Sequence, residues 1–164
     1  MERLNSKNGS RPLTSGEIEL ARSVFGDAID YPQVRMVRRK WWPFQPRSVA
    51  MAPMGHIHFH PHSDLWSEDF SREPLHRQGL FIHELTHVWQ AQQGVNLLTG
   101  KLRAGDRPAS YEYPTGMDCA WGDLNIEQQA MVVEHRFRLL RGGAAPGTAE
   151  FYDRVCPLGP RIGS

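Results

Sequence analysis

The chain has 164 residues, 40% of them hydrophobic and 23% charged, with a formal net charge of +1. That length suits one compact domain, and the weak net charge provides no long-range field to gather nucleic acid or an anionic membrane, so neither is an expected partner. No apolar run approaches the ~20 residues needed to cross a bilayer.

Taken in chain order, residues 1–12 read as a flexible lead, because Asn5, Ser6, Lys7, Asn8, Gly9 and Ser10 have nothing to bury against a core. The same stretch lacks the apolar segment of a secretory signal. Synthesis in the cytoplasm is therefore expected, with a specialised secretion system as the remaining route of export. Thr14 and Glu17 stand at capping-box spacing ahead of Ile18, Ala21 and Phe25, and Gly26 supplies a stop, which predicts a first helix covering a sheet. Strands are predicted over residues 34–38, 49–52 and 55–60, the last two joined by the turn-forming Pro53, Met54 and Gly55. The expected sheet is small and mainly antiparallel.

Residues 74–93 carry Leu75, Ile82, Leu85, Val88 and Trp89 with Gly79 as their only breaker, a long helix ending at Gly94. Residues 95–122 show no sustained periodicity and read as a long functional loop with a short strand near 111–113. Asn125 and Gln128 open a further helix, whose apolar stripe of Ile126, Ala130, Val133, Phe137 and Leu140 stops at Gly142 and Gly143. A short helix over 149–155 and a loose tail over 157–164 complete an α+β domain spanning 13–156. Cys119 and Cys156 lack CxxC spacing and read as buried or free thiols.

Within the long helix stands His83-Glu84-Leu85-Thr86-His87. Residues four apart share a helix face, so His83 and His87 can present imidazole nitrogens to one ion, and two neutral imidazoles suit Zn²⁺. Glu84, adjacent to the first ligand, is placed to serve as a general base toward water rather than as a ligand. A catalytic zinc needs a third protein ligand and an open position. Glu127 is the preferred third ligand, since the small Ala130 on the same face lets its helix approach closely. Glu134, two turns along, is either an alternative ligand or a partner for a ligand histidine. Tyr111, Tyr113, His135 and Arg136 are candidates to stabilise a developing oxyanion, with the tyrosine pair taken first.

The motif HELTH followed by Glu127-Gln128-Gln129-Ala130 resembles the gluzincin peptidases, in which a downstream helix supplies a Glu to the zinc. The resemblance implies a zincin-like fold, a small sheet packed on the HExxH helix and a downstream Glu-bearing helix, with His83, His87 and Glu127 as ligands and Glu84 as base. The segments RSVFGDAIDY, RRKWWPFQP, GLFIHELTHVWQ and NIEQQA look more narrowly like small bacterial Vgr-related proteins, associated by name with type VI secretion. The functional expectation is a zinc-dependent peptidase acting on a protein or peptide substrate, with a secretion-system protein as a further partner. A cell-wall peptide amidase and a non-catalytic, zinc-stabilised binding module are the competing readings, and Glu84 discriminates against the latter, because a structural zinc needs no base.

Two other features stand apart from this site. His56, His58 and His60 alternate with Ile57 and Phe59, so a strand would align the imidazoles on one face, as a solvated edge or a second metal site. Arg35, Arg38, Arg39, Lys40 and Arg47 surround Trp41, Trp42 and Phe44, which either cap the core or grip a partner.

Overall fold

A computed structural model describes residues 9–105 and 107–162. Its elements are β1 (Ser10–Pro12), α1 (Ser15–Phe25), β2 (Arg35–Val37), β3 (Ile57–His58), α2 (Leu75–Gln92), α3 (Leu97–Ala104), α4 (Ile126–Leu140) and α5 (Ala149–Val155), joined by short 3₁₀ turns. The class is α+β. Most of the expected flexible lead lies outside the described residues, but its last part is ordered, because Ser10–Pro12 pairs antiparallel with β2.

The first helix begins as its sequence demands: the Thr14 hydroxyl accepts from the Glu17 amide, and the Glu17 carboxylate accepts from the Thr14 amide. Gly26 ends it at φ 54°, a conformation that disfavours any side chain. Glu17 does more than cap. Its buried carboxylate receives both guanidinium nitrogens of Arg11 at 2.8 Å and the Phe70 amide at 2.9 Å, tying β1, α1 and the turn before α2 together. Removing one partner leaves the other desolvated and unpaired, so Glu17→Ala lowers stability by about 3 kcal/mol or more in a urea melt.

The sheet departs from expectation. Its order is β1-β2-β3; β1 and β2 are antiparallel, but β2 and β3 are parallel, with Met36 opposite Ile57 and Val37 opposite His58. The long connection from Val37 to Ile57 supplies the crossover a parallel pair requires. The strand predicted over 49–52 contracts to one antiparallel bridge, Met51 with His58. The chain leading to it is bound by a loop around Gln45 instead of a ladder, its amide reaching the Val49 and His58 carbonyls at 2.9 Å.

Helix α2 is buried on nearly every side, with Phe81, Ile82, Leu85 and Val88 in the core and Phe81 stacked on Phe70 at 5.3 Å. Its principal neighbour is α4, which offers the fully buried Ala130 as the sequence predicts. Gly79 proves to be a packing residue: a Cβ there would meet Arg138 Nε at 2.8 Å and Glu134 Cγ at 3.3 Å.

The expected loop over 95–122 contains α3, capped by the Asn96 side chain accepting from the Thr99 amide. Gly100 sits against Ile126, where a Cβ would be 3.0 Å from the nearest side-chain carbon. It lets α3 close on α4. The short strand expected near 111–113 is replaced by a 3₁₀ turn at Pro108–Ser110 and irregular chain. The tail is tied down as far as Ile162, which packs on the core and donates its amide to Asp153, while Leu158 is buried. Cys119 and Cys156 are free and buried.

Candidate metal centre

The HExxH pair behaves as its spacing predicts: the His83 and His87 rings lie on one face of α2 with centroids 5.1 Å apart. The first turn of α4 brings Glu127 between them. Glu127 Oε2 lies 3.3 Å from His83 Nε2 and 3.2 Å from His87 Nε2, and three donor atoms of this set fall within 4.8 Å of one another. All three residues are buried. Among the described residues this is the one group of three or more such side chains able to hold a metal ion.

The outer nitrogens of both imidazoles are engaged. His83 Nδ1 lies 3.1 Å from Glu134 Oε2, and His87 Nδ1 lies 2.8 Å from Gln90 Oε1. With acceptors at both Nδ1 atoms, an imidazole that gives up its Nε2 proton keeps one at Nδ1 and leaves an Nε2 lone pair on the Glu127 side, the tautomer a metal requires. The partners are braced in turn. Gln90 donates to the Gln129 side chain at 2.9 Å and to the Ile126 carbonyl at 3.2 Å, and Glu134 pairs with Arg138. Glu134 thus takes the second of the two roles its position allowed, holding a histidine. Gln90 belongs to no motif, but its place three residues beyond His87 puts it on the same helix face.

Burial alone depresses the His83 pKa, but hydrogen bonds to Glu127 and Glu134 outweigh it and raise the value to about 10. Burial raises the pKa of Glu127, but the two imidazoles overcome this and hold the carboxyl well below its usual range. A proton shared among these groups is what a divalent cation displaces, so the donor set fits a metal ion. Because the folded value for His83 lies above the ordinary 6.5, the stability it confers on chelator-treated protein is complete below pH 6.5 and is lost as pH rises through about 10. Zinc saturation abolishes that loss; a pH series of thermal melts with and without zinc measures it.

Glu84 is also buried, and its Oε2 has no hydrogen-bond partner among the described residues. Burial pushes its pKa above the usual carboxylate range, opposed by the neighbouring imidazoles. A desolvated carboxylate with an idle oxygen beside two candidate metal ligands is prepared to take a proton.

Lys101 completes the cluster. Its Nζ donates to Glu127 Oε1 at 3.0 Å and to the Tyr111 hydroxyl at 2.9 Å, leaving Glu127 Oε2 to the histidines. No spacing rule points to Lys101, because its segment carries no helical periodicity in the sequence. Tyr111 is brought to the site, its ring 6.4 Å from that of His83. Tyr113 is engaged elsewhere: its hydroxyl lies 2.6 Å from His135 Nδ1 and 2.8 Å from the Tyr152 hydroxyl. Arg136 is buried against Gly159 and paired with Asp153, which is a structural duty. In the histidine row, His58 is buried with Nδ1 3.3 Å from the Arg39 carbonyl, while His56 Nδ1 accepts from the Arg35 amide. The three imidazoles do not form a solvated edge.

Fold and site together define a class: an α+β domain in which two packed helices converge two histidines and a glutamate on one point. The chain belongs to the family of Vgr-related effector domains. It is similar to the effector domain of Pseudomonas aeruginosa VgrG2b, with 42% identity, a TM-score of 0.69, and coverage of 82% of this chain and 78% of that structure. It is also 46% identical over 135 residues to the type VI secretion system spike protein VgrG2b of Pseudomonas aeruginosa PAO1. That match covers 77% of this chain but only 13% of the much longer spike protein. No protein-family model matches the chain. Among the described residues no helix is long and apolar enough to cross a membrane.

Proposed function

We propose that this chain is a zincin-like, zinc-dependent peptidase of the gluzincin type, exported as a type VI secretion effector in association with a spike protein. The observation that carries the enzymatic reading is the unpartnered Oε2 of buried Glu84 beside His83 and His87. A structural zinc staple has no use for such a group, and its desolvation would be costly to keep without one. Kinship with a spike protein and with its effector domain supports the secretion role.

His83, His87 and Glu127 would hold the zinc, with Glu134 and Gln90 fixing the two imidazoles. Zinc held there supplies Lewis acidity, making water acidic near neutral pH and polarising a carbonyl. Glu84 accepts the proton of the attacking water as its oxygen bonds to the peptide carbonyl carbon. As the carbon–nitrogen bond breaks, Glu84 returns that proton to the departing amine. The Tyr111 hydroxyl, oriented by Lys101, is the donor assigned to the charge that develops on the carbonyl oxygen. Tyr113, committed to His135 and Tyr152, is left out of this role.

Purified protein carries about one zinc per chain by elemental analysis, as a three-ligand site predicts. Folded protein that stays metal-free in zinc-containing buffer would overturn the proposal.

A further inference from the structure

The segment between β2 and β3 is built inside out. Gln45, a polar residue, is 3% exposed, while Trp42 is 44% exposed, Phe44 77% and Met54 64%, with Trp41 and Val49 also open to solvent. The reason is the Gln45 amide. Its oxygen accepts from the Trp41 amide at 2.8 Å, and its nitrogen donates to the Val49 and His58 carbonyls. Those bonds use the loop's interior for backbone satisfaction and turn the aromatic rings outward. Pro43 and Pro46 stiffen the same turn, and Trp42 packs edge-to-face on Phe44 at 5.3 Å. Large apolar side chains held out by a preformed scaffold mark a contact surface.

Its chemistry identifies the partner. Between Tyr31 and Ser63 there are five fixed positive charges, Arg35, Arg38, Arg39, Lys40 and Arg47, and no Asp or Glu, so the other residues together carry net −4 in a chain of +1. The loop lies against the histidine-rich segment: the Ser63 hydroxyl donates to the Arg47 carbonyl at 2.5 Å, and Arg38 Nε donates to the Pro61 carbonyl at 3.2 Å. The near-neutral total, which argued against an anionic surface, averages over this asymmetry.

We infer that the Trp41–Trp42–Phe44 loop and its basic flank dock on an anionic phospholipid surface. Tryptophan suits the headgroup layer, with an apolar ring and a polar N–H, and juxtamembrane Lys and Arg are drawn to anionic lipid. A nucleic acid fits less well. Bases need open ring faces for stacking, and the edge-to-face pair makes a compact knob instead. None of the residues of this surface is a candidate metal ligand or a hydrogen-bond partner of one.

The full chain is tested by sedimentation with phosphatidylcholine vesicles and with phosphatidylcholine/phosphatidylglycerol vesicles in low-salt buffer. Binding to the anionic vesicles is expected, with little to the neutral ones. Arg39→Gln/Lys40→Gln/Arg47→Gln weakens it on the order of 100-fold. Trp41→Ser/Trp42→Ser/Phe44→Ser also abolishes most binding while leaving the zinc content unchanged. Brominated lipid quenches tryptophan fluorescence in the unmodified chain and not in Trp41→Phe/Trp42→Phe, a check independent of the triple variants' folding. Absence of anionic-vesicle binding, equal binding to neutral vesicles, or wild-type binding by the folded aromatic variant overturns the inference. The last result would leave charge alone as the determinant and point to a polyanion such as nucleic acid.

Discussion

Glu84→Gln retains zinc and loses roughly 10² to 10⁴-fold in peptide hydrolysis, the usual contribution of a positioned acid–base group. The substitution keeps the volume of the side chain but removes its ability to hold a proton. Its effect on metal binding is small, because Glu84 accepts no hydrogen bond from either histidine, and its Oε2 has no partner among the described residues. The measurement pairs elemental analysis with mass spectrometry of new peptide termini in an unfolded protein mixture, wild type against variant. Equal cleavage by the two proteins, with zinc in both, removes Glu84 from the mechanism. Cleavage by neither, with zinc in both, favours the zinc-stabilised binding module.

Glu127→Ala weakens zinc binding more than Glu134→Ala, and the order is a test of geometry. Glu127 Oε2 lies within 3.3 Å of both Nε2 atoms, so its loss deletes a ligand. Glu134 meets His83 at Nδ1, on the far side of the ring, where loss of an orienting partner costs roughly 10 to 100-fold in metal affinity. Competition with a chromophoric chelator ranks the two. The reverse order would make Glu134 the ligand and Glu127 the brace. Both variants leave the α4 capping box of Asn125 and Gln128 intact, so a lost helix cap does not explain either result.

Elements governed by local rules were legible from the residues. The capping boxes at Thr14 and Asn125 and the stops at Gly26 and Gly94 set the helix ends they predict. The HExxH spacing puts His83 and His87 together because a helix has one geometry. What failed depended on distant partners. Residues 95–122 show no sustained periodicity, yet α3 forms there because Gly100 lets it lie on Ile126. The strand over 49–52 has the right residues, but Gln45 captures its backbone before a ladder can form.

The amino-acid sequence by itself determined α1, α2, α4 and α5, the histidine pair and the adjacent Glu84, since each follows from periodicity over a few residues. Only the tertiary structure decided which oxygens and nitrogens meet. It set Glu127 on both imidazoles, turned Glu134 and Gln90 to their outer nitrogens, brought Lys101 to the free oxygen of Glu127, and drew Tyr113 to His135. Those choices rest on the close crossing of α2 and α4 and on the docking of α3, and packing across elements distant in the chain leaves no period in the sequence to read.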